Sequence, residues 1–338
     1  MTSTAQRVHL AELSPSLTGE EIVRHLVPPR QFADASLDNY RPDPDHPSQA
    51  EAVAAMREFL AGSRPSGGLF SRRKAPEQKP GIYLDGGFGV GKTHLLAALW
   101  HATPGRTYFG TFIEYTALVG ALGYQQALHL LTGAKLICID EFELDDPGDT
   151  RLMTRLLSEL IAKGTRVVAT SNTPPNALGE GRFAAQDFLR EIDAMAANFT
   201  TMRIDGVDYR RRDLEGHAET HTDEEFAAAV ERFSGVLSVD TFEAIIQQLA
   251  KVHPSKYVKM LDGLDAVAIS DVHVLHSQTD ALRLVALVDR LYDAQLPVIA
   301  TGVPFDQVFA EEMLGGGYRK KYLRAVSRLI ALTSGQDL

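Results

Sequence analysis

The stretch "GIYLDGGFGVGKTHLL", residues 81–96, constrains this chain more than any other. The run "GIYL" predicts a strand and "KTHLLAALWHA" predicts a helix, and the turn between them fits the pattern Gly86-x-x-x-x-Gly91-Lys92-Thr93. Glycines let backbone N–H groups approach phosphate oxygens, and the helix N-terminus adds a positive dipole end. In such loops the lysine reaches the β- and γ-phosphates and the threonine hydroxyl coordinates Mg²⁺. We therefore predict a site for ATP with Mg²⁺, with these nucleotide-binding residues: Gly86, Gly87, Phe88, Gly89, Val90, Gly91, Lys92, Thr93 and His94.

Polar side chains follow two further apolar strands. Asp140 and Glu141 come directly after "LICI", and Asn172 follows "VVATS". Carboxyl ends of parallel strands gather at one crevice, so we expect these residues to meet the loop. Thr93 and Asp140 are the predicted Mg²⁺ residues, Glu141 the catalytic base and Asn172 the group that positions water. The alternative is that the acidic pair caps the next segment and that Asn172 starts a turn before two prolines.

Strands and helices alternate along most of the chain, which predicts crossover units and a parallel sheet. We expect an α/β fold of the P-loop NTPase type with flanking helices, followed by a C-terminal α/β region. The expected division is an N-terminal extension over 1–45, a P-loop core over 46–215 and a C-terminal α/β and helical region over 216–338. The segments "AVAISDVHVL" and "PVIATGVP" echo "LICIDEFEL" and "VVATSNTP". We interpret this as similar architecture rather than duplication, and expect no second nucleotide site because no glycine loop precedes the later pair.

Composition narrows the class of protein further. The formal net charge of −10 disfavours a nucleic-acid partner, because such proteins usually carry a basic face. The single cysteine excludes an internal disulfide framework, and the eleven histidines show no zinc-ligand spacing. No apolar run predicts a transmembrane helix, and the N-terminus lacks the features of a secretory signal. These observations predict a cytoplasmic protein.

Several motifs, in order, carry a family resemblance. The segments "GGFGVGKTHLL", "LICIDEFELDDPGD", "VVATSNTPPNAL", "DFLREIDAM" and "GVDYR", with the later "LVDRLYD" and "SRL", resemble the ATPase-family-gene-one group of AAA+-type ATPases. That group includes bacterial cell-division ATPases and mitochondrial relatives. The resemblance implies ATP hydrolysis by a homo-oligomer that regulates or remodels protein partners. In bacteria it implies the division ring and FtsZ, and in mitochondria it implies protein quality control.

Two other classes of function compete with this interpretation. The segment "FADASLDNYRP" also resembles DNA-replication loaders of the same superfamily, which would bind single-stranded DNA. A small-molecule kinase would share the loop but would not need the set of Asp140, Glu141 and Asn172. Stimulation of ATP turnover by single-stranded DNA, with none by FtsZ polymers, would favour the loader.

An arginine supplied by a neighbouring subunit is the last expectation from the resemblance. A cation in trans stabilises the charge on the departing γ-phosphoryl group. The segment "GEGRFAAQDFLREI" offers Arg182 and Arg190, and Arg210 is a third choice. We prefer Arg182 because it lies in the loop "GEGR", where the glycines allow it to project outward. This segment departs from the family's "GLQR", and either arginine could pair with nearby acids instead. In the C-terminal helix "RKKYLRAVSRLIAL", a contact of Arg324 or Arg328 with the nucleotide also stays open.

Overall fold

The computed structural model describes residues 6–16, 18–62, 79–87, 89–142, 147–173, 196–207 and 217–334. The chain forms two compact units: a P-loop unit, Thr18–Tyr209, and a C-terminal unit that combines Met1–Leu17 with Arg210–Leu338. Among the described residues, no helix combines the length and the apolar character needed to cross a membrane.

The P-loop unit is built on a parallel sheet whose five described strands are ordered β3-β4-β5-β2-β6. The strands are β2 Gly81–Gly86, β3 Thr107–Thr111, β4 Leu136–Asp140, β5 Arg166–Ser171 and β6 Phe199–Ile204. The helices are α1 Gly19–His25, α2 Pro47–Ala61, α3 Lys92–Ala102, α4 Phe112–Leu122, α5 Tyr124–Leu131 and α6 Pro147–Ala162. All residues of β2 and β4 are buried, as expected for central strands covered on both faces.

The order of the strands decides where a ligand can bind. The strand β2 lies between β5 and β6, so the chain leaves β2, runs to the far edge at β3 and returns through β4 and β5. Open parallel sheets bind ligands in the crevice at the carboxyl ends of such strands. The carboxyl ends of β2, β4 and β5 carry the predicted loop, the acidic pair and Asn172. The α/β fold with a P-loop arrangement is therefore confirmed.

The C-terminal unit holds a second parallel sheet, ordered β1-β7-β8-β9. Its strands are β1 Gln6–Val8, β7 Val236–Thr241, β8 Ala266–Val272 and β9 Val298–Gly302. Its described helices are α7 Asp223–Arg232, α8 Phe242–Lys251, α9 Tyr257–Met260, α10 Gln278–Asp293, α11 Glu311–Leu314 and α12 Arg319–Thr333. The helices α8, α10 and α12 contribute apolar side chains to one buried core.

The N-terminal residues do not gather into one segment over 1–45. The structure divides the chain after Leu17 and after Tyr209 instead of after 45 and 215. The physical reason is hydrogen bonding: β1 pairs in parallel with β7, and the N–H of Leu10 donates to the Asp240 carboxylate at 2.8 Å. An isolated strand would leave these backbone groups without protein partners.

The two sheets repeat one local arrangement. Glu141, which follows β4, and Asp271 in β8 both have left-handed backbones, with φ of 53° and 59°. The N–H of Glu141 donates to the Thr170 hydroxyl of β5 at 3.2 Å, and the N–H of Asp271 donates to the Thr301 hydroxyl of β9 at 3.1 Å. The echo in the sequence therefore extends to strand-end hydrogen bonding.

Candidate functional site

The phosphate-binding loop joins β2 to α3 and depends on two glycines for its path. Gly91 caps α3 with φ of 86°, a left-handed conformation that glycine adopts without steric cost. A Cβ at Gly86 would lie closer than 3.0 Å to the carbonyl oxygen of Ile204 in β6. In contrast, α7 of the C-terminal unit starts with a capping box, in which Thr222 and Glu225 satisfy backbone N–H groups. Gly91 supplies no such side chain, so the first N–H groups of α3 suit an anionic ligand.

Lys92 lies at the centre of the predicted site. Its Nζ donates to the carbonyl oxygens of Gly86 at 3.0 Å and Gly87 at 2.6 Å, and to Asn172 Oδ1 at 3.1 Å. The loop and the carboxyl end of β5 are therefore brought together as expected. An ammonium group at this position can turn towards phosphate oxygens that approach the loop.

Thr93 and Asp140 also meet. The Thr93 hydroxyl donates to Asp140 Oδ2 at 3.0 Å, and the Thr170 hydroxyl donates to Asp140 Oδ1. Mg²⁺ prefers oxygen ligands and is held by few protein groups beside phosphates and waters, so this pair of side chains fits that ion. Burial raises the pKa of the Asp140 carboxyl, as does the neighbouring Glu141, while hydrogen bonds from both hydroxyls and the charge of Lys92 oppose the shift.

The backbone after β4 fixes Glu141 in an uncommon conformation. A left-handed non-glycine residue costs about 1–3 kcal/mol and persists only where its surroundings hold it. Here the N–H of Glu141 binds the Thr170 hydroxyl, and the N–H of Phe142 donates to the Thr170 carbonyl at 2.6 Å. Phe142 is buried, with its ring 5.2 Å from that of Phe112. The backbone of Glu141 is thus held by Thr170 and by the buried residue that follows it.

Thr170 is a site residue that the sequence did not identify. It is 1% exposed and joins Asp140 to the backbone of Glu141. The sequence does show a threonine near the end of the strand before Asn172. Threonine is common in strands, so its presence there did not indicate a site residue. Its role depends on the pairing of β4 with β5.

Asp85 is a second residue that the sequence did not identify. It is buried at the end of β2, beside Arg203 of β6 at 3.7 Å. Burial raises the pKa of its carboxyl, while Arg203, its backbone hydrogen bond and Lys92 act in the opposite direction. The Asp85 carboxyl thus lies near the carboxyl end of β2, directly before the loop.

Of the remaining predicted residues, some make contacts that the structure describes and others lie outside the described residues. His94 turns towards residues 30–40, with Nε2 at 3.0 Å from the carbonyl oxygen of Ser36. Arg324 and Arg328 both bind Asp289 on α10 of the C-terminal unit, Arg324 at 2.6 Å. Four predicted residues lie outside the described residues: Phe88, Arg182, Arg190 and Arg210.

Fold and site together define a P-loop ATPase. A family model described as AFG1-like ATPase matches residues 18–237 and 218–338, and the chain belongs to that family. The chain is 28% identical over 316 residues to the cell division protein ZapE of Escherichia coli K12, covering 80% of this chain and 83% of that protein. It is 22% identical over 299 residues to lactation elevated protein 1 homolog B of Danio rerio, covering 71% of this chain and 59% of that protein. The resemblance seen in the sequence is confirmed.

Solved structures show more distant similarity. A crystal structure of DnaI is 18% identical, covers 54% of this chain and 97% of that chain, and has a TM-score of 0.42. DnaA of Aquifex aeolicus bound to AMPPCP is 14% identical, covers 87% of this chain and 80% of that chain, and has a TM-score of 0.39.

Proposed function

We propose that this chain binds ATP with Mg²⁺, hydrolyses it to ADP and phosphate, and uses the reaction to regulate or remodel a protein partner. One observation carries the proposal: Thr93 of the loop is hydrogen-bonded to Asp140, and the anchored Glu141 follows directly. A nucleotide-binding loop alone would suit a kinase equally well. A carboxylate held next to the metal-type pair suits the activation of water.

Each side chain then has a separate task. The N–H groups of the loop and Lys92 bind the phosphates, and Thr93 and Asp140 are the residues that would hold Mg²⁺. Held by these residues, Mg²⁺ would neutralise the charge that develops on the β- and γ-phosphate oxygens. Glu141 accepts a proton from the attacking water, and Asn172 orients that water. Arg182 of a neighbouring subunit is our preferred source of a further cation.

The proposed partner is a component of the cell-division ring, with FtsZ as the first candidate. The similarity to ZapE supports this choice, because that protein is described as a cell division protein. The net charge of −10 supports a protein partner over nucleic acid. We further propose a cytoplasmic location and a homo-oligomer, because an arginine in trans requires a second subunit.

The test is steady-state phosphate release with Mg-ATP, alone and with FtsZ polymers or single-stranded DNA. We expect turnover that Glu141→Gln lowers by at least about 100-fold while Mg-ATP binding is kept, because the amide retains the size but cannot act as a base. Stimulation by FtsZ polymers would support the partner, whereas stimulation by single-stranded DNA alone would replace it with the loader function. Near-normal turnover by Glu141→Gln would move the base elsewhere.

A further inference from the structure

A short segment before α2 packs on the phosphate-binding loop. We call residues 30–40 the strap. Its last residue, Tyr40, donates a hydrogen bond from its hydroxyl to the Val90 carbonyl at 2.8 Å. The ring lies so near Gly91 that a Cβ there would be closer than 3.0 Å to Tyr40 Cε2. One tyrosine thus contacts the two loop residues that precede Lys92.

The strap has its own internal hydrogen bonds. The N–H of Ser36 donates to Asn39 Oδ1 at 2.8 Å, and the N–H of Asn39 donates to the Ser36 hydroxyl at 3.1 Å. Asn39 Nδ2 also donates to the Asp34 carbonyl at 2.7 Å. Such reciprocal bonds fix a turn locally. Tyr40 therefore follows a turn of defined shape.

The helix α3 holds the strap in place. His94 Nε2 lies 3.0 Å from the Ser36 carbonyl oxygen, and His101 Nε2 lies 3.0 Å from that of Phe32. The ring of His94 also packs against that of Tyr40, with centroids 5.6 Å apart. Because α3 begins at the phosphate-binding loop, its histidines fix the strap relative to the loop. This contact gives His94 a task other than binding the nucleotide.

Peptide geometry connects Tyr40 to the phosphates. The peptide bond is planar and trans, so the N–H of Gly91 points opposite to the carbonyl of Val90. The Tyr40 hydroxyl holds that carbonyl, so the N–H is directed away from the strap. A tyrosine hydroxyl is protonated at neutral pH and can donate this bond, and burial raises the pKa of Tyr40 further, to about 12.

We propose that Tyr40 is a positioning residue for nucleotide binding: it sets the orientation of the Val90–Gly91 peptide so that the loop is preformed for a phosphate group. The proposal rests on the proposed function, since it assigns a determinant of affinity to the same site. Tyr40 contributes to nucleotide binding and not to the chemical step. Its described contacts include the loop but not Glu141 or Asn172.

The experiment compares Tyr40→Phe, which keeps the ring and removes the hydroxyl, with the matched control Tyr257→Phe. Tyr257 lies in the C-terminal unit and donates to the Leu249 carbonyl at 3.0 Å. Calorimetric titration with Mg-ADP should show an affinity about 2- to 10-fold weaker for Tyr40→Phe, the range for one hydrogen bond, and unchanged for the control. In turnover assays the KM for ATP should rise by a similar factor, while kcat changes by less than about 2-fold.

A second comparison uses the close approach to Gly91. Gly91→Ala should weaken Mg-ADP binding less in a Tyr40→Ala background than in the wild type. The alanine strains the left-handed backbone in both proteins, but its Cβ clashes with the ring of Tyr40 only where that ring is present. Three results would each overturn the proposal. The first is that Tyr40→Phe has the same affinity and KM as the wild type, and the second is that its kcat falls by the same factor as its affinity. The third is that the effects of Gly91→Ala and Tyr40→Ala on affinity are additive. Absence of Mg-ADP binding by the wild-type protein would refute the proposed function itself.

Discussion

Replacing Thr170 with valine tests the hydroxyl that contacts the Asp140 carboxylate and the backbone N–H of Glu141. Valine keeps the branched shape of the side chain and removes only the hydroxyl. That hydroxyl donates to Asp140 Oδ1 and accepts the N–H of Glu141 at 3.2 Å. Because Thr170 is 1% exposed, water cannot readily replace either bond. We expect the variant to lose both stability and turnover.

The size of the effect follows from the two hydrogen bonds. Loss of a hydrogen bond to a charged group costs about 1.5–3 kcal/mol, and a part-buried N–H left without its acceptor adds about 1 kcal/mol. The free energy of unfolding of the P-loop unit should therefore fall by about 2.5–4 kcal/mol. The left-handed backbone of Glu141 also loses its support. If the backbone of Glu141 relaxes and transition-state stabilisation falls by about 1.4 kcal/mol, kcat falls about 10-fold.

The chain offers a matched control in Thr301. Thr301 is 2% exposed, lies one residue before the end of β9 in the second sheet and accepts the N–H of the left-handed Asp271 at 3.1 Å. The residue before Asp271 is Ser270, whereas the residue before Glu141 is the carboxylate Asp140. Thr301→Val should therefore cost about 1 kcal/mol of stability and leave kcat unchanged.

Stability is measured by urea unfolding and turnover by phosphate release. Both are measured on both variants, at a temperature where circular dichroism shows the native fold. We expect kcat of Thr170→Val to fall by about 10-fold or more, with Mg-ADP affinity changed far less. Wild-type turnover by Thr170→Val would refute the anchoring of Glu141. An equal loss of turnover in both variants would show that general destabilisation, and not the position of Thr170, lowers the rate.

Three further predictions concern single groups of the site. Lys92→Ala should abolish tight binding of Mg-ATP, because it removes the cation aimed at the terminal phosphates; unchanged affinity in calorimetry would refute the loop assignment. Asp140→Asn should raise the melting temperature of the nucleotide-free protein at neutral pH while abolishing Mg²⁺-dependent turnover. The pKa of Asp140 is higher in the folded protein than in the unfolded chain. The carboxyl therefore contributes its full stabilisation below its pKa in the unfolded chain, and this stabilisation is lost as the pH rises through its pKa in the folded protein. A lower melting temperature for Asp140→Asn would contradict this sign. Arg182→Ala and Lys92→Ala should each be inactive, and mixing them should restore part of the turnover; wild-type rates for Arg182→Ala alone would exclude a finger in trans.

The sequence by itself determined the class of fold and the position of the loop. The pattern from Gly86 to Thr93 has few physical solutions, because several glycines beside a strand and a lysine at a helix start all serve phosphate binding. The polar residues Asp140, Glu141 and Asn172 were identified because they directly follow apolar strands. Local pattern suffices for these features, since each one is defined by residues that are close in the chain.

Only the tertiary structure decided which other residues complete the site. Thr170 meets Glu141 because β4 and β5 are paired, and Tyr40 meets Val90 across 50 positions of sequence. Pairing also placed β1 in the C-terminal unit, where its backbone groups find partners in β7, instead of in a separate extension. Such contacts depend on register and packing between distant segments, and no local pattern of apolar and polar residues encodes them. The sequence thus located the chemistry, while long-range hydrogen bonds determined how its groups are held.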